Sequence, residues 1–96
     1  MYLHHNQLSA LPPEIGQLSH LRVLYLSYNK LSALPPEIGQ LIHLQQLHLH
    51  RNQLNALPQE IGQLIHLQTL MLSNINLSLV FINNLRRGLP NTNIIL

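Results

Sequence analysis

The residues with chemistry to offer in this 96-residue chain are few: seven His, three Glu, three Tyr and five Lys or Arg, with no Cys and no Asp. His48 and His50 stand two apart, so on a strand they share a face, a spacing that can give two ligands to one metal. His4 would lie roughly 10 Å from His50, two rungs of a parallel sheet away. No Asp, Glu or Cys falls near them to complete a coordination shell, and Gln46 or Ser27 would be poor substitutes, so no metal site is expected. Ser27 beside His4 or His50 has the elements of a nucleophile and a base. No acid is placed to orient the His, no oxyanion hole is indicated and no glycine-rich phosphate loop is present. The expectation is a chain that is not an enzyme and needs no cofactor.

The three acids point to the organisation of the whole chain. Glu14, Glu37 and Glu60 are 23 residues apart, which directs the search to internal repeats. Leu21–His43 and Leu44–His66 are identical at 15 of 23 positions, and Met1–His20 matches Leu24–His43 at 15 of 20. The unit reads LxxLxLxxNxLxALPxEIGQLxH. It repeats Asn6, Asn29 and Asn52, then Pro12, Pro35 and Pro58, then Gly16, Gly39 and Gly62. A fourth unit opens at Leu67 with Leu70 and Leu72 in place. It then departs, with Ile75 in the Asn slot, Val80 in a Leu slot and Phe81 in the Pro slot. One domain results: a partial repeat over 1–20, full repeats over 21–43 and 44–66, a degenerate repeat over 67–80 and a C-terminal cap over 81–96.

Composition excludes other classes. A quarter of the chain, 24 residues, is Leu, and 46% is apolar with only 8% charged, which is wrong for a disordered tail. The apolar runs fall far short of the ~20 residues a bilayer span needs. The net charge of +2 comes from scattered basic residues, a weak footprint for nucleic acid. Neither a membrane nor a nucleic acid is an expected partner. Lack of Cys and of a visible secretory leader fits a cytoplasmic location.

The motif LxxLxLxxNxL followed by LPxEIGxL resembles the leucine-rich repeat family over residues 1 to about 80. It is most similar to the 23-residue class of bacterial proteins and of the Ras-suppressor-like proteins. The segment Leu85–Leu96, LRRGLPNTNIIL, resembles the closing segment of bacterial members. The resemblance implies an α/β solenoid that binds proteins. Its form is an arc with a parallel β-sheet on the concave face and short helical turns on the convex face.

The residues lead to the same architecture. In Leu21–Leu26, Leu24 and Leu26 alternate with Val23 and Tyr25, the period of two of a strand. Asn29 follows where the chain turns, and its amide can bond backbone groups that the turn leaves unpaired. In a stack, Asn6, Asn29 and Asn52 would form a ladder, each also reaching its neighbour's backbone. The stretch LPPEIGQL suits one helical turn. Pro costs nothing at the first helical position. Glu37 meets the positive end of the helix dipole. Gly39 keeps the turn short. Leu21, Leu24, Leu26, Leu31, Leu34, Ile38 and Leu41 point inward, and one layer cannot bury them alone, so the units must stack.

At the C-terminus, Phe81, Ile82 and Leu85 suit a helix that covers the last layer. Asn83, Asn84, Arg86 and Arg87 would face water, Gly88 would end the helix, and Ile94 and Leu96 would alternate on a final edge strand. The N-terminus has no such cap, since Met1 stands in a Leu slot halfway through a strand. Either the chain is a fragment of a longer solenoid or a partner covers its first layer, and that layer also permits a dimer.

Function is expected where the repeats differ. The two full repeats differ at eight positions, and Arg22, Val23, Tyr25, Ser27 and Tyr28 account for five of them, in or just beyond the strand. Their outward face forms three columns: Tyr2, Tyr25, His48 and Met71; His4, Ser27, His50 and Ser73; His5, Tyr28, Arg51 and Asn74. Lys30 and Gln53 border the third column, and Arg22 and Gln46 complete the candidate face. All three Tyr lie here, and Tyr and Arg are favoured interface anchors. Duplication followed by drift at exposed sites would also produce differences there. The face carries about three positive charges and no negative one, so a protein partner with a neutral-to-acidic surface is expected. A separate column, His20, His43 and His66, repeats unchanged and reads as scaffold. Protonation would set those three repelling, with loss of stability below about pH 6.

Overall fold

The computed structural model describes residues 1–73 and 75–96. The full repeats 21–43 and 44–66 each contribute one three-residue strand and one short helical turn. Strands β1 (Val23–Tyr25), β2 (Gln46–His48), β3 (Thr69–Met71) and β4 (Asn93–Ile95) form one parallel sheet in the order β1-β2-β3-β4. The register advances by one repeat at a time: Leu24 pairs with Leu47, Leu47 with Leu70, and Leu70 with Ile94. The first rung is joined as well. Tyr2 bridges Tyr25 in parallel, Leu3 N–H donates to the Tyr25 carbonyl at 2.8 Å, and Tyr25 N–H donates to the Met1 carbonyl at 2.9 Å.

The turns opposite the sheet are 3₁₀ helices: Pro13–Gln17, Pro36–Gln40 and Gln59–Gln63. The recurring prolines Pro12, Pro35 and Pro58 sit at the N-cap. There they hold extended backbone, with φ of −72°, −70° and −64°. Their fixed φ suits that extended entry as well as it suits a helix start. Pro13 and Pro36 take the first helical place and Gln59 takes it in the third turn. The glycines have a further reason beyond breaking the helix. A Cβ on Gly39 would lie 2.7 Å from the Glu60 carbonyl oxygen of the next turn, closer than such atoms approach. Only the absence of a side chain lets the turns stack this tightly.

The inward Leu and Ile residues of consecutive layers make one core. Leu24, Leu26, Leu31, Ile38 and Leu41 are fully buried, and Leu21 packs against them half-buried. The Asn ladder ties the layers at their edge. The Asn29 amide donates to the Leu3 carbonyl at 2.8 Å and its oxygen accepts from Leu8 N–H at 3.1 Å, both one rung back. Asn52 repeats these bonds to Leu26 and Leu31.

Helix α1 (Leu79–Gly88) lies over the last layer, with Ser78 as its N-cap accepting from Phe81 N–H at 3.2 Å. Leu85 and Leu89 are buried, Phe81 and Ile82 are half-buried, and Asn83, Asn84, Arg86 and Arg87 are exposed. Leu79 and Val80, at the start of the helix, stay exposed. In β4, Ile94 packs on the core, while Leu96 lies beyond the strand and faces water. Among the described residues no helix is long and apolar enough to cross a membrane.

Candidate functional site on the sheet face

Each strand is buried at its middle residue and half-exposed at its first and third in β1, β2 and β3, so one side of the sheet is open. The parallel register turns sequence positions into columns. Tyr2, Tyr25, His48 and Met71 line up, as expected, and the column continues to Ile95. A second column of Val23, Gln46, Thr69 and Asn93 runs beside it. Ile95, Thr69 and Asn93 are not among the residues picked out from the sequence. The last rung follows the cap helix rather than the repeat, so the 23-residue period does not reach it.

Ring geometry divides the face into ridges. Tyr2 and Tyr25 stack with centroids 5.0 Å apart and planes 18° apart. Tyr25 then meets the His48 ring edge to face at 4.6 Å. A second ridge runs through His5 and Tyr28, stacked at 4.3 Å and 14°, and on to Arg51, whose guanidinium carbon lies 5.8 Å from the Tyr28 ring centre. That stack of ring, ring and cation is held in an unusual backbone. His5, Tyr28 and Arg51 have φ of 57°, 58° and 62°. The left-handed region costs a residue with a Cβ roughly 1–2 kcal/mol, and Gly or Asn would hold it more easily. Three large side chains occupy these costly places on three consecutive rungs, and all three are exposed.

Between the ridges lies the column of His4, Ser27, His50 and Ser73. Ser27 differs from the exposed binding residue that its position led us to expect. It is 6% exposed, flanked in its column by two larger His side chains. It lies instead on the floor of a notch of about 340 Å³ lined by Tyr2, His4 and Tyr25. Tyr2, His4, His5 and Tyr28 are exposed, Tyr25, Gln46, His48, His50, Met71 and Ser73 are half-buried, and Arg22, Lys30 and Arg51 are exposed cations along the border. Asn74 lies outside the described residues.

The His pair is packed without conventional partners. His48 Nε2 and His50 Nδ1 are buried and have no hydrogen-bond partner. Each ring meets a tyrosine at right angles, His48 with Tyr25 and His50 with Tyr28 at 5.6 Å, an arrangement in which a ring N–H can point into a π-face. Burial pushes both His below their ordinary range; next in order, His50 adds to this for His48, and Arg51 then His5 for His50. Among the described residues no group of three or more His, Cys, Asp or Glu could hold a metal ion.

A family model described as "Leucine-rich repeat region" matches residues 1–87. The chain belongs to the leucine-rich repeat family. The leucine-rich repeat arc has a close solved counterpart in a leucine-rich repeat protein of Leptospira interrogans, with a TM-score of 0.93 and 47% identity over 97% of this chain. The chain spans 24% of the length of that bacterial protein. No curated protein matches it. The leucine-rich repeat fold is in general a protein-interaction scaffold and typically not an enzyme, in keeping with the parallel sheet, the 3₁₀ turns and the repeat motif described above.

Proposed function

We propose that this leucine-rich repeat arc binds a protein partner on its concave sheet face. The contact is centred on Tyr25, Tyr28, His48 and Arg51. The observation that carries the reading is the ridge of His5, Tyr28 and Arg51, three exposed side chains in left-handed backbone on successive rungs. Scaffold alone would be better served by Gly or Asn at these places, so their side chains are retained for what they contact. The partner presents a neutral-to-acidic surface. The acids of this chain, Glu14, Glu37 and Glu60, all lie in the first residues of the 3₁₀ turns, away from the sheet. The cations Arg22, Lys30 and Arg51 are left to set the sign of the face. The reading needs no cofactor, nucleic acid or membrane.

The test is capture of a cross-linked partner by the chain and by alanine variants at the four central residues. Those variants should lose the partner at least tenfold, while Gln40→Ala and Gln63→Ala keep it. Equal loss from the glutamine variants would remove the assignment of the face.

A second reading makes the chain a structural section of a longer array whose binding surface lies elsewhere. The matched bacterial protein favours it, because this chain spans only 24% of that length. So does the first layer, where Met1 is 41% and Leu18 38% exposed, while their counterparts Leu24 and Leu41 are fully buried. The same layer admits a second copy of the chain, which sedimentation at rising concentration would reveal.

A further inference from the structure

The column between the two ridges alternates large and small: His4, Ser27, His50, Ser73. We infer that this trough takes an extended acidic segment of the partner in polyproline II conformation, laid across the rungs with carboxylates three residues apart at Ser27 and Ser73. The inference rests on the concave-face reading and adds the shape and spacing of what binds there.

Spacing selects the conformation. Parallel rungs are about 4.8 Å apart, so the two serines, two rungs apart, are separated by about 9.6 Å. A polyproline II helix rises 3.1 Å per residue with three residues per turn, so residues i and i+3 lie on one side about 9.3 Å apart. A β-strand returns to the same side every two residues, roughly 6.8 Å, and falls out of step at once. Width agrees with a single extended chain. Over the first three rungs the trough is one column wide, walled by Tyr2, Tyr25 and His48 on one side and by His5, Tyr28 and Arg51 on the other. Aromatic-walled grooves suit this preformed, low-entropy conformation.

Charge selects the side chains. Carboxylates entering the Ser27 notch would meet its hydroxyl and the His4 ring, with Arg51 beside the path over Tyr28. No acid of this chain competes, since all three lie in the turns opposite the sheet.

Fluorescence anisotropy on the full chain tests the inference with three labelled hexapeptides. Glu-Pro-Pro-Glu-Pro-Pro should bind at least tenfold more tightly than Glu-Glu-Pro-Pro-Pro-Pro, which has the same composition and the wrong spacing. It should exceed Lys-Pro-Pro-Lys-Pro-Pro by a similar factor, and rising salt should weaken it. Ser27→His fills the notch with the residue that the neighbouring rungs already carry at His4 and His50, so the fold should accept it and binding should fall at least tenfold. Arg51→Glu should turn the preference towards the lysine peptide. No binding, equal binding of the two glutamate peptides, or indifference to both substitutions overturns the inference. A cross-linked partner that is lost in Tyr25→Ala and Tyr28→Ala, yet is not displaced by the spaced peptide, overturns it while leaving the concave-face reading in place. A partner kept by those alanine variants removes both.

Discussion

The Asn52 side-chain amide donates to the Leu26 carbonyl of the preceding rung at 2.8 Å, in the same gesture by which Asn29 reaches Leu3. Asn52 also donates to the Leu49 carbonyl of its own rung and accepts from Leu31 N–H. The Leu26 carbonyl also accepts from Asn29, so two backbone groups, Leu31 N–H and the Leu49 carbonyl, depend on the Asn52 amide alone. Leaving buried backbone groups without partners costs about 1–3 kcal/mol for each group. Asn52→Ala should therefore destabilise the fold by roughly 2–4 kcal/mol in urea unfolding. Asn6 bonds only to Leu3 and His4 of its own rung and is exposed. Asn6→Ala should cost about 1 kcal/mol or less. Equal losses from the two would mean that the cross-rung bonds contribute nothing.

The glycines separate packing from backbone freedom. None of the four has a positive φ. A Cβ on Gly39 would lie 2.7 Å from the Glu60 carbonyl oxygen and 2.7 Å from Gln63 Oε1, while one on Gly62 would meet nothing within 4 Å. The difference arises because, among the described residues, no further turn of this kind stacks beyond Gln59–Gln63. Gly39→Ala should cost about 1–3 kcal/mol, as overpacking does. Gly62→Ala should be neutral or gain up to about 1 kcal/mol, because Ala is the better helix former and its unfolded chain is less free. Thermal melts of the two variants give the comparison directly. A loss at Gly62 as large as at Gly39 would refute this account of the repeat's glycine.

The left-handed residues connect stability to binding. Arg51 is exposed, and its φ of 62° is costly for a residue with a Cβ. Asn tolerates that region better. Arg51→Asn should raise stability by up to about 1 kcal/mol, less whatever the contact with Tyr28 contributes, and should weaken capture of the partner. Denaturant midpoints and partner capture on one preparation measure both effects. A variant that is less stable and binds as before would show that the residue serves the scaffold.

The period was enough to place nearly everything that repeats. Alternation around Leu24 and Leu26 gives the strand and its inward face, and the shared register then fixes the columns of Tyr2, Tyr25, His48 and Met71. What escaped depends on neighbours that the period does not describe. Ser27 is only 6% exposed although its column lies on the open side of the sheet, a fact of the stack and not of the unit. The positive φ at Tyr28 follows from how the chain leaves the strand towards Asn29, and neither residue type announces it. Ile95 joins the outward column only after α1 has carried the chain across the last layer. Proline at the first helical position was legible in LPPEIGQL and is met by Pro13 and Pro36, while the N-cap place of Pro12, Pro35 and Pro58 was not, because proline suits an extended entry and a first helical position alike.

Acid should weaken this fold through two particular histidines. Burial holds His48 and His50 below the ordinary value of 6.5 in the folded chain. In the unfolded chain both return towards that value, so the unfolded state binds more protons as the pH falls through it. Stability from this source is complete above about pH 6.5 and declines as the pH falls below it, levelling off under the folded-state values. The groups around them reinforce the direction: His50 faces Arg51 and His5, and His48 faces His50. The rings of His20, His43 and His66 lie parallel, with centroids 6.4 and 6.3 Å apart, and all three are exposed. Melting temperatures between pH 7.5 and 5 should fall for the native chain. They should fall less for the double variant His48→Gln, His50→Gln. A double variant with the full acid dependence, or a flat native profile, would refute the assignment to His48 and His50.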